Sequence, residues 1–123
     1  MRIEVPTLRV DLGSIARNYL ALRARCPGEC GATVKANAYG TGAAHVARAL
    51  SRAGCRRFFV ATLSEGVTLR RSLPEGEIFV FSGFDKIDAG TFRDSRLYPV
   101  LNSLDEIKAW AETGPLPGAA IHV

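Results

Sequence analysis

An α/β fold built on a parallel sheet is what this 123-residue sequence predicts. Two observations carry that expectation. Short apolar runs at 32–35, 58–63, 78–81, 97–101 and 119–123 alternate with stretches of helical periodicity, and such alternation implies parallel strands joined by right-handed crossovers. Phe58-Phe59-Val60-Ala61-Thr62-Leu63 is also apolar on both faces, as a parallel strand covered on both sides tends to be. Two architectures satisfy the pattern. One is a doubly wound open sheet, which five strands would complete; the other is part of a (β/α)8 barrel, whose full circuit takes about 250 residues.

In order, Leu8-Arg9-Val10 reads as a strand-like lead-in, and Asp11 as the N-cap of a helix to about residue 25. Leu12, Ile15, Ala16, Tyr19 and Leu22 share one face of that helix. Pro27 and Gly28 end it. A lysine-bearing strand follows, then a helix over about 42–53 with Val46, Ala47 and Leu50 inward and Gly54 past its end. After the 58–63 strand, Ser64 is the expected cap of a helix to about residue 73, with Glu65 well placed in its first turn. Pro74-Glu75-Gly76 is a turn, 78–81 a strand, and 87–92 a short helix. The strand 97–101 contains Pro99, which removes a ladder donor and points to a bulge. Ser103 and Glu106 have capping-box spacing for a helix with Ile107, Trp110 and Ala111 inward; Gly114 and Pro115 stop it. A fifth strand starts at about Ala119.

Composition sets bounds. A hydrophobic share of 47% with 23% charged residues is that of a globular protein with a real core. No run approaches the roughly 18 apolar residues of a membrane span, and Met1-Arg2-Ile3-Glu4-Val5-Pro6 lacks the apolar segment of a signal peptide, so a cytoplasmic protein with no membrane partner is expected. The net charge of +4 is carried by thirteen arginines and three lysines. Arg48, Arg52, Arg56 and Arg57 form a cluster, but no aromatic residues interleave as stacking platforms, so nucleic acid is not an expected partner. Cys26, Cys30 and Cys55 are too few and oddly numbered for a disulfide framework, and neither His45 nor His122 completes a metal-ligand pattern with them. Gly40-Thr41-Gly42-Ala43-Ala44-His45 departs from a dinucleotide fingerprint, because His45 occupies the place of its last small residue.

The chemistry concentrates in Ala32-Thr33-Val34-Lys35-Ala36-Asn37-Ala38-Tyr39-Gly40-Thr41-Gly42. Lys35 comes at the end of an apolar strand, before a loop into a helix, which is the edge of α/β folds where ligands bind. Withdrawal from water disfavours the ammonium form of a lysine and leaves an amine able to attack a carbonyl, which points to a Schiff base with pyridoxal phosphate. Lys86 lies in a polar loop and Lys108 in a charged helix, so Lys35 is the candidate. Spacing alone favours a strand-end lysine that snorkels to water. Tyr39 by itself also reads as an aromatic packed under the loop.

Val34-Lys35-Ala36-Asn37-Ala38-Tyr39-Gly40-x-Gly42 resembles the pyridoxal-phosphate attachment motif of the alanine racemase family. Val10-Asp11-Leu12 with Asn18, Val60-Ala61-Thr62 with Glu65 and Leu69-Arg70, and Pro99-Val100-Leu101-Asn102-Ser103 extend the resemblance in the same order, from about Leu8 to the last residue. The resemblance implies the barrel rather than the open sheet: an α/β partial (β/α)8 TIM-type barrel, about its first half. Residues 1–123 would be the N-terminal portion of the barrel domain, with the other strands and a C-terminal β domain outside them.

It further implies that Lys35 holds pyridoxal 5'-phosphate and acts as one of two catalytic bases. Tyr39 would hydrogen-bond the phosphate, and a tyrosine of a partner subunit would serve the other face of a homodimer. The implied activity is interconversion of L- and D-alanine, supplying D-alanine for peptidoglycan. The alternatives are an inactive fragment, a non-catalytic barrel that carries the cofactor, and a racemase of another amino acid. Thr41 stands where the family usually has histidine, and its expected local role is to cap the next helix.

Overall fold

The computed structural model describes residues 1–122. Its elements run α1 (Leu12–Arg25), β1 (Ala32–Thr33), the helical turn α2 (Lys35–Tyr39), α3 (Ala43–Arg52), β2 (Arg57–Val60), α4 (Leu63–Ser72) and β3 (Glu77–Val80). A 3-10 turn (Lys86–Asp88), α5 (Ala89–Asp94), β4 (Leu97–Leu101), α6 (Leu104–Glu112) and β5 (Ala120–Ile121) complete them. The five strands lie in sequential order, all parallel. That order decides between the two architectures. A doubly wound sheet reverses its strand order midway to bring helices to both faces, whereas unbroken order with right-handed crossovers lays every helix on one face, as in a barrel.

The core sits between that face and the helices. Phe58, Val60, Ile78, Val80, Leu97 and Leu101 point into it and meet Val46, Ala47 and Leu50 of α3, Leu69 of α4 and Phe92 of α5. Gly66 lets α4 approach closely, since a Cβ there would stand 3.1 Å from the buried Leu97 side chain. The opposite face is different. Register aligns Phe59, Phe79 and Tyr98 across β2, β3 and β4, with centroids 5.0 and 5.1 Å apart, and Phe81 stacks on Phe59 at 5.3 Å. This helix-free face corresponds to a barrel interior, where inward side chains form layers.

Several expectations need correction. Residues 8–10 form no strand, and Leu22 is 64% exposed because the covered part of the apolar stripe of α1 ends at Tyr19. The second strand stops at Val60 rather than residue 63, because Thr62, not Ser64, caps α4 by accepting the Glu65 N–H at 3.3 Å. Ala109, not Ala111, lies with Ile107 and Trp110 against the core. Pro99 makes no break in β4, because the strand pairs with β3 up to Pro99 and with β5 from Val100 onward. The missing N–H falls at that changeover. β5 is observed as Ala120–Ile121, and the part of the expected fifth strand at residue 123 lies outside the described residues.

Asp11 caps α1 through the Ser14 N–H at 2.9 Å, as its position predicts. No helix among the described residues is long and apolar enough to cross a membrane. The three cysteines are free, with Cys26 exposed, Cys30 half-buried and Cys55 buried.

Two outcomes follow from this packing. Gly66→Val crowds Leu97 and Val80, which have no room to yield, so urea denaturation will show a loss of about 1–3 kcal/mol. Burial pushes the Cys55 thiol pKa up, leaving less thiolate at pH 8. Alkylation followed by peptide mass spectrometry will therefore modify Cys26 first and Cys55 last, and denaturant will abolish the order.

Candidate active site

The strand that carries the lysine ends earlier than its sequence suggests. Val34 continues the ladder by donating to the Phe59 carbonyl at 2.8 Å, and the chain then leaves the sheet. Lys35 is therefore the first residue of a turn, half-buried, rather than the last residue of a buried strand. The turn is left-handed: Ala36, Asn37, Ala38 and Tyr39 have φ of 48°, 55°, 53° and 55°. Left-handed helical backbone costs L-residues about 1–2 kcal/mol each, and asparagine tolerates it better than most. Such conformations persist only where the surroundings over-determine them, and they gather at ligand sites.

Several bonds hold this turn. Ala38 N–H donates to Val34 O at 2.9 Å, Gly40 N–H to Ala36 O at 3.0 Å and Gly42 N–H to Asn37 O at 2.9 Å. The Asn37 side chain turns forward, its Oδ1 accepting the Ala43 N–H at 2.9 Å, so Asn37 caps α3. Thr41 does not. Its hydroxyl donates back to the Ala38 carbonyl and stiffens the end of the turn. The expected cap is thus replaced because asparagine, already held in the left-handed conformation, reaches the helix start first.

From the neighbouring unit, Glu65 closes the loop. Its Oε1 accepts the Ala36 N–H at 3.0 Å and its Oε2 the Ala61 N–H at 2.7 Å. The sequence placed Glu65 in the field of a helix terminus and among the residues of the family resemblance, with no role assigned to it there. The spacing of Thr62 and Glu65 is a capping-box signal that would have found half of this arrangement, but nothing in the spacing announces the reach to Ala36.

The two candidate residues flank the turn. Tyr39 is 66% exposed rather than packed beneath the loop. The ion pairs among the described residues involve Arg57 with Glu29 and Glu77, and Lys86 with Glu112, leaving Lys35 outside them. Lys86 is thereby engaged, and Lys108 is exposed on α6. A cleft of about 380 Å³ opens on the helix side between the turn, α3 and α4, with Asn37, Glu65 and Thr68 in its wall. Neither Lys35 nor Tyr39 lines it. His45 is exposed on α3, with the Arg48 guanidinium 3.2 Å from its Nδ1.

A barrel-type half sheet with a lysine on the βα loop at its carboxyl edge defines the class: part of a (β/α)8 barrel of the kind that builds active sites from such loops. The family model for the alanine racemase N-terminal domain matches residues 10–123, and the chain belongs to that family. An alanine racemase from Acidiphilium cryptum is 50% identical over 105 residues, covering 85% of this chain and 29% of that protein. One from Rhodospirillum rubrum is 48% identical over 123 residues, covering 94% and 33%. Among solved structures, alanine racemase from Bartonella henselae with covalently bound pyridoxal phosphate superposes with a TM-score of 0.77 at 41% identity, over 84% of this chain and 29% of that one. A histidine racemase from Leuconostoc mesenteroides is also similar, with a TM-score of 0.71 at 27% identity over 83% and 28%. The chain spans about a third or less of the length of these relatives.

The role of Asn37 can be checked by ordering two variants. Asn37→Ala loses the α3 cap, worth about 1 kcal/mol, and keeps a Cβ in left-handed backbone. Asn37→Gly loses the same cap but relieves the strain, so it will be the more stable of the two in urea denaturation.

Proposed function

We propose that this chain supplies the cofactor-holding lysine of an alanine racemase, with Lys35 as the attachment residue and Tyr39 as a phosphate ligand. The observation that carries the reading is the turn itself. It presents a primary amine and, four positions on, an exposed phenolic hydroxyl on one strained and tightly bonded segment at the strand ends. That donor set fits pyridoxal 5'-phosphate, whose aldehyde an amine can capture and whose phosphate a hydroxyl can bind. The named activity of the relatives at about half identity supports alanine as the substrate.

When bound, the cofactor supplies a ring that draws electrons away from the substrate Cα–H bond. The rest falls to the protein. Lys35, once released from holding the cofactor, takes a proton from Cα or returns it on one face. Tyr39 donates its hydroxyl to the phosphate and fixes the register between ring and amine. The aromatic layer of Phe59, Phe79 and Tyr98 lines the inward face of the sheet and limits water there. Inverting a stereocentre also needs a proton carrier on the opposite face, which the family resemblance assigns to a tyrosine of a partner subunit. The reading therefore carries with it a homodimer, working in the cytoplasm.

Borohydride reduction in the presence of pyridoxal 5'-phosphate, followed by peptide mass spectrometry, will place most of the label on Lys35, with only a minor share on Lys86 and Lys108. Label spread evenly over the three lysines would overturn the assignment. On the complete enzyme, racemisation assays with alanine, serine, lysine and histidine will give the highest kcat/KM with alanine.

A further inference from the structure

We propose that Glu65 is a positioning residue for Lys35, an inference that rests on the reading of Lys35 given above. The N–H that Glu65 Oε1 accepts is labelled by Ala36 but belongs to the peptide bond joining Lys35 to Ala36. The preceding peptide is held through the Val34 carbonyl, which accepts the Ala38 N–H. Fixing the next peptide plane as well restricts the backbone torsions of Lys35, and hence the direction in which its side chain leaves the backbone. A tie of this kind acts on the amine without touching it.

Three features single it out. First, the other backbone bonds of the turn join residues within a few positions of one another, whereas Glu65 lies 29 residues from Ala36 and belongs to the next βα unit. It relates the turn to the rest of the sheet, which the local bonds do not. Second, four successive left-handed residues begin at Ala36, so the tie sits where the strained run starts.

Third, the fold contains its own control. Glu106 occupies the same position in α6 that Glu65 occupies in α4. Ser103 accepts the Glu106 N–H at 3.2 Å, as Thr62 does for Glu65, and Glu106 Oε2 accepts the Asn102 N–H at 2.8 Å, as Glu65 Oε2 does for Ala61. Helix capping thus uses one carboxylate oxygen in both places. At Glu65 the second oxygen is directed to the lysine peptide; at Glu106 the carboxylate instead stands where a Cβ of Gly83 would fall, 2.5 Å from Oε1. Capping alone does not call for the Ala36 bond.

The test uses the 123-residue chain in four forms: wild type, Glu65→Ala, Glu65→Leu and Glu106→Ala. The readouts are the ratio of borohydride-trapped phosphopyridoxyl label on Lys35 to that on Lys86, and hydrogen exchange at the Ala36 amide by NMR. In the wild type the Ala36 amide will be protected. With Glu65→Ala and Glu65→Leu, which leave no acceptor, its exchange will accelerate and the Lys35:Lys86 ratio will fall about tenfold. Glu106→Ala removes an equivalent cap and will leave both readouts at wild-type values, which separates positioning from lost stability. An unprotected Ala36 amide in the wild type overturns the proposal without any variant, even if the Glu65 variants fail to fold. A wild type that labels Lys35 selectively, together with a Glu65→Ala that keeps that selectivity, overturns this proposal alone. No selectivity in the wild type overturns the assignment of Lys35 itself.

Discussion

Four residues with side chains, held one after another in left-handed backbone, are the constraint around which this chain is arranged. A single such residue is unremarkable; Arg96, at φ 50°, is one. A run of four costs about 1–2 kcal/mol for each member and would unwind if left to itself. What prevents this is that both ends of the run are clamped. β1 enters from one side, its last ladder bond made by Val34, and α3 begins on the other with its first free N–H taken by Asn37. Between those clamps a left-handed turn covers the step from strand to helix in fewer residues than an open loop would. It brings Lys35 and Tyr39 to the two ends of one short rigid piece. Under the proposed function, rigidity at that place has a chemical use, since a misplacement of about 1 Å at a reacting group is enough to lower a rate about a hundredfold.

The sheet supplies the frame for this turn by an economy of topology. Because successive strands are neighbours, each βα loop emerges beside the loop of the preceding unit, and a side chain at the start of one helix can reach the loop before it. Glu65 reaches from the second unit to the first in this way. Asn102 does the same between the fourth and third units, its Nδ2 donating to the Phe81 carbonyl at 2.9 Å. The carboxyl edge is therefore stitched loop to loop by side chains, while the helix-side core fixes the strands beneath it. The aromatic row of Phe59, Phe79 and Tyr98 holds the inner face, where no helix packs.

What the sequence made legible follows a physical division. Caps, turns and apolar periodicity are local, so Asp11, Gly54, Ser103 and the strand at 97–101 could all be read from their neighbours in the chain. The lysine motif was legible through resemblance, which placed Lys35 and Tyr39 together before any geometry was available. The handedness of the turn was not. Ala36, Ala38 and Tyr39 have no preference for positive φ, and only tertiary clamping puts them there. Thr41 misled for a related reason: a threonine before a helix is a good cap on propensity, and it lost that place to an asparagine four residues earlier whose backbone the fold had already turned. Leu22 was assigned inward by periodicity, but the partner surface of α1 ends before the stripe does.

One regularity escaped a reading made element by element. Val60-Ala61-Thr62-Leu63-Ser64-Glu65 and Leu101-Asn102-Ser103-Leu104-Asp105-Glu106 are the same segment in chemical terms, an apolar strand end, a hydroxyl cap, a leucine and a glutamate at the third helical position. They build the same strand-to-helix turn in the second and fourth units, bond for bond where capping is concerned. The difference between them lies in what stands on the preceding loop. Opposite Glu106 it is Gly83, at φ 91°, which has no side chain and simply makes room; opposite Glu65 it is the peptide that carries the lysine. A repeated structural device thus has a spare oxygen at each use, and at only one of the two does that oxygen meet the backbone beside Lys35. Under the proposed positioning role, this edge would gain its function where an ordinary helix start, used for capping in both units, also ties the backbone beside the lysine.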